Sequence, residues 1–434
     1  MNKQVLKLAV PSILANITIP LVGLVDTAIV GHIADAAIIG GIAVGTMLFD
    51  LLYWNFGFLR VGTSGMTAQA FGRKDRVSCA SILAQSLTVT AAATALIWIT
   101  QWLFVSVVLM CVPCSPEVEQ FARSYFFVRI WAAPATLSLM ALKGWFIGMQ
   151  DTVSPMACDI VVNVINMAAS YVLAVYTPLG AIGVAYGTLI AQFSGLVVAM
   201  GILAAKYRSY VSMFATLHDV LSWKQLRRLI VLNGNLFIRS LCFMVVYVGF
   251  TAIAGGYGDV QLAVSSILMK LFMLFSYFVD GFAYAGEALV GKTFGEQGDN
   301  RSVARVVRIL FNWSIGVGLL FTVIYAIWGL DCVRLMTNDA AVLDAVIPFL
   351  GWLIAMPLVS TLAFMWDGIY VGATAGKEIR NAMIWAAVGF VGVYWATYAY
   401  LGIQALYIAY FVHLIARVIY LTAKWKTVLN NRME

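Results

Sequence analysis

The stretch LVGLVDTAIVG, residues 21–31, combines ten apolar or small residues with a single carboxylate, Asp26. The rest of the chain has the same character, because 62% of its 434 residues are hydrophobic and 11% are charged, whereas soluble domains carry about 25% charged residues. A soluble core could not bury this much apolar surface, so the sequence predicts a protein embedded in a lipid bilayer. Lipid cannot solvate a charge, so Asp26 is costly there and is a candidate functional residue.

Apolar runs long enough to cross a bilayer recur along the whole chain. A spanning helix needs about 20 mostly apolar residues, and breaks at Gly, Pro and charge clusters separate twelve such runs. The sequence therefore predicts an all-α integral membrane protein with twelve transmembrane helices. Numbered α1 to α12, they are predicted at 5–31, 37–62, 80–110, 118–148, 155–177, 181–205, 226–254, 261–288, 304–329, 341–371, 381–400 and 402–424.

Lysine and arginine residues concentrate in alternate connections between these helices. They follow α2, α6, α8, α10 and α12, whereas the opposite connections hold mainly Asp and Glu. The positive-inside rule then predicts that both termini are cytoplasmic, in agreement with the even number of helices. The formal net charge of +7 is explained by this orientation, and we expect no nucleic-acid partner.

Short sequence matches at a nearly constant offset indicate an internal duplication. AFG at 70–72 resembles TFG at 293–295, and the spacing Gly144-xxx-Gly148 recurs as Gly368-xxx-Gly372. We expect these glycines to serve close helix packing. Six helices per copy is an even number, so the copies form two six-helix lobes related by a parallel repeat. The predicted domains are an N-lobe at 1–205 (α1–α6), a cytoplasmic linker at 206–225 and a C-lobe at 226–434 (α7–α12).

Polar residues in α5 and α6 are the candidate neighbours of Asp26. Asn166 and Ser170 are four residues apart on one face of α5, and Asn163 joins that face one turn earlier. Thr188 adds a hydroxyl on α6. These groups either hydrogen-bond a carboxyl on α1, forming an ion-coupling site, or only hold helices together. The sequence leaves both readings open.

A second group of charged residues lies within the predicted C-lobe spans. Its members are Asp280, Glu287, Asp367, Arg239 and Lys270. Arg239 and Lys270 have the charge to neutralise the acids, so the group is either a salt-bridged structural network or a second cation or substrate site.

Enzyme, metal and redox chemistry have no motif in the sequence. His32, His218 and His413 are dispersed and form no metal-ligand pattern. Cys111 and Cys114 form a CxxC without the βαβ context of a redox motif. GYGD at 256–259 resembles a motif of intramembrane aspartyl proteases but lies between α7 and α8 without a partner aspartate motif. We therefore predict no catalytic residue, no cofactor and no resident metal.

Several segments together resemble the multidrug and toxic compound extrusion (MATE) family, and in particular its DinF subfamily. They are PLVGLVDTAIVG, GTSGMTAQAFGR, NVINMAAS with LGAIGVAYGT, DGFAYAGEALVGKTFG and MWDGIYVG, and the resemblance covers Pro11 to about Arg417. It implies a twelve-helix transporter in a bacterial inner membrane that exports organic, often cationic, compounds in exchange for H⁺ or Na⁺. We expect it to be a monomer.

The family's site residues map onto this chain with one departure. Its first-helix aspartate matches Asp26 and its tenth-helix acid matches Asp367. Its fifth-helix Asn-xxx-Asp pattern matches Asn166 and Ser170, so the second acid of the family is replaced by a hydroxyl.

The resulting hypothesis is alternating access driven by Asp26. Burial favours the neutral carboxyl and polar neighbours favour the charged one, so proton binding and release would switch α1 between two packings. Aromatic side chains, 13% of the residues, would contact flat cations. The alternative is a lipid-linked precursor flippase of the same superfamily. An intramembrane protease or a channel fits the sequence less well.

Overall fold

Helices make up the regular structure of the described chain. The computed structural model describes residues 1–33, 35–110, 112, 114–216, 223–296 and 300–430, and within them twelve helices are long and apolar enough to cross a membrane. The predicted all-α fold with twelve spans is confirmed. Their bounds are, for α1, Asn2–Ile33; α2, Ala36–Trp54 and Phe58–Gly72; α3, Arg76–Met110; α4, Pro116–Arg129 and Ala133–Gly148; α5, Val153–Val175; α6, Gly183–Lys206; α7, Trp223–Gly255; α8, Asp259–Gly295; α9, Asn300–Arg334; α10, Ala340–Val346 and Leu350–Gly372; α11, Gly376–Leu401; α12, Gln404–Asn430.

Three spans are interrupted within the part of the chain that the structure describes, and two of the interruptions coincide with proline. In α4 a 3₁₀ turn, Ile130–Ala132, precedes Pro134, and in α10 the 3₁₀ turn Ile347–Phe349 contains Pro348. Proline has no backbone N–H and disfavours a helical conformation in the residue before it, which explains both breaks. A short helix, Arg208–Val211, follows α6.

The two halves repeat one another at the level of backbone geometry. The Ser115 hydroxyl caps α4 by accepting a hydrogen bond from the Val118 N–H. Asp339, at the equivalent position of the second half, caps α10 by accepting a hydrogen bond from the Ala341 N–H. Gly180 and Gly402 have φ of +55° and +53° before α6 and α12, which are equivalent helices of the repeat. This left-handed conformation is open to glycine at no steric cost.

The Gly-xxx-Gly pairs make the same close approach in each half. A Cβ on Gly144 would lie 2.2 Å from the Arg60 carbonyl oxygen of α2, and a Cβ on Gly368 would lie 2.4 Å from that of Ala283 in α8. Arg60 and Ala283 are separated by the same offset as the AFG and TFG motifs. The predicted packing role of these glycines is confirmed, and so is the parallel repeat.

Contacts divide the chain into two compact units. The N-half unit comprises Leu14–Phe71 and Asp75–Ile230, and the C-half unit comprises Met1–Ile13, Gly72–Lys74 and Val231–Glu434. The first residues of α1 thus group with the second half of the sequence. The predicted lobe and linker boundaries stay a prediction. Residues 217–222 of the predicted linker lie outside the described residues, and so does Cys111 of the CxxC pair.

Each unit has its own apolar core. Leu48, Phe49 and Phe126 are central in the N-half unit, and Phe250, Phe275 and Tyr407 in the C-half unit. Large apolar side chains also remain exposed along the spans, such as Ile99, Trp102 and Trp395. Exposed apolar surface on this scale is what a lipid-facing helix requires.

Candidate ion-coupling and charged sites

Asp26 lies in the second half of α1, within the N-half unit. Its side chain is half-buried, next to the Ser170 hydroxyl of α5 and within electrostatic range of Arg129. The Asp26 Oδ1 and the Ser170 Oγ are buried, and neither atom makes a hydrogen bond of good geometry. Among the described residues Asp26 forms no ion pair, so its carboxyl is neither solvated freely nor locked to a base.

The predicted polar residues Asn166 of α5 and Thr188 of α6 contact each other. Asn166 donates from Nδ2 to the Thr188 hydroxyl at 3.0 Å, and Thr188 donates to the Val184 carbonyl at 3.1 Å. The Asn166 Oδ1 is buried without a partner. One buried oxygen atom each of Asp26, Asn166 and Ser170 therefore lacks a hydrogen bond of good geometry.

Gly187 fixes the distance between α5 and α6 at this level. A Cβ at this position would lie 2.5 Å from the Ser170 Oγ and 2.6 Å from its backbone nitrogen. Only glycine allows the two backbones to approach this closely.

Asn163 makes a separate contact between α5 and α1. Its Nδ2 donates to the Thr18 hydroxyl, two helical turns before Asp26. Among the predicted residues, Ser170 thus lies next to Asp26, Asn166 contacts Thr188, and Asn163 contacts α1 through Thr18. A single ion-coupling site containing all five stays a prediction.

Arg129 is the neighbour that sequence reasoning did not assign to this site. Its Nη1 donates to the Tyr125 hydroxyl at 3.1 Å, and its guanidinium lies 4.6 Å from the centroid of the Phe49 ring. It is within electrostatic range of both Asp26 and Asp50. An arginine inside the run FFVRIWAAP was the available signal, but it lies three helices after Asp26 in the chain.

The C-half unit holds a three-residue charged cluster at Asp367. Its Oδ2 accepts from the Nη2 of Arg239 on α7 at 2.8 Å and from the Nη2 of Arg417 on α12 at 2.5 Å. The predicted pairing of Arg239 with an acid is observed. Arg417 was missed, although the rule that selected Arg239, a charge inside an apolar run, applies to it equally.

The other predicted C-lobe residues, Lys270, Asp280 and Glu287, all lie on α8. Lys270 is exposed and forms no ion pair among the described residues. Asp280 is half-buried and Glu287 is buried, both on α8. A cation or substrate site containing all five residues stays a prediction.

A charge also precedes the first Gly-xxx-Gly glycine in each half, with opposite sign. Lys143 precedes Gly144 and pairs with Asp159 at 2.8 Å, whereas Asp367 precedes Gly368. Both charges are neutralised within their own unit.

A further polar cluster lies outside the membrane-spanning segments, between α4 and α5. The Asp151 Oδ2 accepts from Lys206 at 2.7 Å, from Tyr207 at 2.8 Å and from the Ser154 hydroxyl at 2.5 Å. Burial raises the pKa of Asp151, but the hydrogen bonds from Lys206, Ser154 and Tyr207 outweigh burial, and the pKa lies below its ordinary value. Asp151 is therefore an anion that ties this loop to the end of α6.

The family model described as MatE matches residues 11–172 and 236–395. This chain belongs to the MATE family. It is 33% identical over 98% of its length, and 92% of the relative's, to DNA damage-inducible protein F of Escherichia coli. It is 21% identical to human multidrug and toxin extrusion protein 1, over 90% of this chain and 67% of the relative.

Solved MATE structures have the same fold. One in the bent conformation matches with a TM-score of 0.90 at 17% identity, covering 100% of this chain and 97% of the other. The outward-facing conformation of a multidrug resistance MATE family transporter matches with a TM-score of 0.88 at 18% identity, covering 100% and 96%. Within the described residues, no group of three or more His, Cys, Asp or Glu side chains is placed to hold a metal.

Proposed function

We propose that the chain is a secondary active multidrug efflux transporter that exports organic compounds by H⁺ antiport with alternating access. Its relatives include a probable multidrug resistance protein NorM of Rhizobium meliloti. The observation that carries the proposal is Asp26, a carboxyl inside a spanning helix with an unpaired buried oxygen and no ion pair within the described residues. Such a group can exchange a proton without first breaking a salt bridge.

Protonation changes what Asp26 does to its neighbours. The charged carboxyl attracts Arg129, whereas the neutral carboxyl releases that attraction and can donate a hydrogen bond to Ser170 or Asn166. Arg129 and α1 therefore have two arrangements, one for each protonation state of Asp26. Each arrangement favours a substrate site that is open to one side of the membrane.

Na⁺ is the other candidate ion, because Asp26 Oδ1, Asn166 Oδ1 and Ser170 Oγ are all oxygen atoms without a partner. Hard cations are bound by such oxygens. With Ser170 in place of a second carboxylate, the site carries one negative charge, which favours the proton as the primary ion.

The substrates are proposed to be organic cations, as the resemblance to the family implies. The protein is proposed to act as a monomer in a bacterial inner membrane with both termini in the cytoplasm. A lipid-linked precursor flippase remains the second candidate, because two arginines share one aspartate in the C-half unit.

Asp26→Asn tests the proposal in proteoliposomes. Efflux of a cationic dye is measured under an imposed ΔpH and then under a Na⁺ gradient, and we expect Asp26→Asn to lose at least tenfold in rate. Asp35→Asn is the matched control, since this exposed aspartate begins α2 outside the site. A wild-type rate in Asp26→Asn would refute the role of Asp26. Transport of a lipid-linked sugar without dye efflux would favour the flippase.

A further inference from the structure

The Asp367 cluster has more positive charge and more donors than a structural salt bridge uses. One carboxylate oxygen serves two guanidinium groups, so the three side chains carry a net charge of +1. Asp367 is 8% exposed and Arg417 is 1% exposed. A buried pair is tolerated when its charges cancel, and an uncompensated buried charge is costly.

Two N–H donors of this cluster are also unused. The Nη1 of Arg417 and the Nε of Arg239 are buried without a hydrogen-bond partner. Buried donors are nearly always paired, and leaving one unpaired costs more than most hydrogen bonds contribute. The excess charge and the free donors belong to the same two guanidinium groups, and an additional anion would compensate the excess charge.

The two arginines of the cluster differ in how accessible they are. The Arg239 side chain is 25% exposed, whereas the Arg417 side chain is 2% exposed, so Arg239 is the accessible side of the cluster. The guanidinium of Arg417 lies 5.8 Å from the Phe364 ring centroid. Guanidinium forks bind oxyanions through two parallel N–H···O bonds.

We propose that Arg239, Asp367 and Arg417 form a binding site for an oxyanion group, such as a carboxylate, sulfonate or phosphate, on an organic ligand. The site itself is independent of transport. Its use as an anchor for an exported compound rests on the export function proposed above.

The test compares ligands that share a benzene ring and differ in head group. Binding of benzenesulfonate, benzoate, benzyl alcohol and benzylamine to the detergent-purified full chain is measured by calorimetry. We expect the two anions to bind, with affinity that falls as salt is raised, and the alcohol and the amine to bind at least tenfold more weakly. Equal binding of all four ligands, or no binding of the anions, would overturn the proposal.

Variants of the Asp367 cluster change its net charge in single steps, from 0 through the wild-type +1 to +2. Arg239→Gln leaves a neutral Asp367–Arg417 pair, and we expect it to bind benzenesulfonate at least tenfold more weakly than wild type. Asp367→Asn raises the net charge to +2 and is expected to bind more tightly. Arg334→Gln is the matched control, since this exposed arginine pairs with Asp331 at the end of α9 and its loss should not change binding. Unchanged affinity in Arg239→Gln refutes the site, and if that variant does not fold, unchanged or weaker affinity in Asp367→Asn does so.

Lipid nanodiscs distinguish a soluble ligand from a lipid head group. If phosphatidic acid, added to phosphatidylcholine discs, competes with benzenesulfonate in wild type, the site accepts a lipid phosphate; if it does not, the site takes soluble oxyanions. None of these measurements needs an ion gradient. A chain that binds benzenesulfonate without exporting dye refutes the export proposal alone, and one that exports dye without binding the anion refutes only the anion site.

Discussion

At the scale of single residues, the proposed ion-coupling site has a hydroxyl at the position where the resemblance to the family implies a second acid. Ser170 is fully buried between Asp26 and Gly187, and its Oγ has no hydrogen-bond partner. Replacing it with a carboxyl places a second negative charge beside Asp26, which repels when both are ionised and is relieved by a bound cation.

Ser170→Asp is therefore expected to change the ion requirement of efflux. We predict either a gain of Na⁺-driven dye efflux or a shifted dependence on pH, measured in proteoliposomes under separate H⁺ and Na⁺ gradients. Ser124→Asp, at an exposed position of α4, is the control for added charge. Because Ser170 is tightly packed, Ser170→Ala is measured alongside to separate loss of packing from added charge. A folded Ser170→Asp with the wild-type ion profile would contradict the prediction.

Asp151 permits a prediction about pH, since its pKa is lowered by its hydrogen bonds. A carboxyl with a lowered pKa stabilises the folded state above its unfolded value of 3.8, and that stabilisation disappears as the pH falls through the folded value. Asp151→Asn should therefore lower the free energy of unfolding by about 1–3 kcal/mol at neutral pH. Thermal unfolding in detergent should show a constant difference from wild type between pH 8 and about pH 5, shrinking below about pH 4. A difference that grows on acidification would show that Asp151 is not the stabilising anion.

Sequence periodicity predicts that Asn166 and Ser170 share one face of α5, and the structure places Ser170 next to Asp26. That the predicted N-lobe residues form one site stays a prediction. Arg129 and Arg417 were not assigned because a charge inside an apolar run shows only that a partner exists. The partners, Asp26 and Asp367, lie on other helices, and packing between helices far apart in sequence selects them.

At the scale of the helix, tertiary packing extended elements beyond their predicted ends. The prediction ended α2 at residue 62, where GTSGMTAQAFG turns polar, yet the second part of α2 continues to Gly72. Thr63, Ser64 and Thr67 are buried there, because Gly144 and Gly148 allow α4 to approach the α2 backbone. Apolar composition predicts which segments are helices in lipid. It does not predict that a helix continues through polar residues that a neighbouring helix covers.

Glycine on α6 provides a matched test of such packing. Gly187→Ala would place a Cβ against the Ser170 backbone, so we expect a loss of about 1–3 kcal/mol in stability and slower efflux through displacement of Ser170. Gly201→Ala, on the same helix, has no atom within 4 Å of the new Cβ and should be neutral or slightly stabilising. Melting temperature and efflux rate are measured on both variants. Equal effects at the two positions would show that the contact at Gly187 is not limiting.

At the scale of the whole molecule, the duplication is retained in the packing and has diverged in its charges. The two halves share the Gly-xxx-Gly approach and the same helix caps, since packing in lipid tolerates few alternatives at a close backbone contact. At the position before the first glycine, however, one half carries Lys143 and the other Asp367. A repeat offset read from sequence therefore predicts the architecture of each half and cannot predict which ion pairs it holds.

The orientation of the molecule in the membrane is predicted from its connections. Arg73 and Lys74 lie between α2 and α3 and Arg76 begins α3, whereas Glu117 and Glu119 lie in the first turn of α4. Moving basic residues across the membrane during insertion is unfavourable, so the α2–α3 connection and the C-terminus should be cytoplasmic. Green fluorescent protein fused after residue 74 or 434 should fluoresce in a bacterial host, since it folds only in the cytoplasm. Alkaline phosphatase fused after residue 115 should be active, since it is active only on the external side of the membrane. Active phosphatase after residue 434 would reverse the predicted orientation, and with it the direction proposed for proton entry at Asp26 and substrate exit.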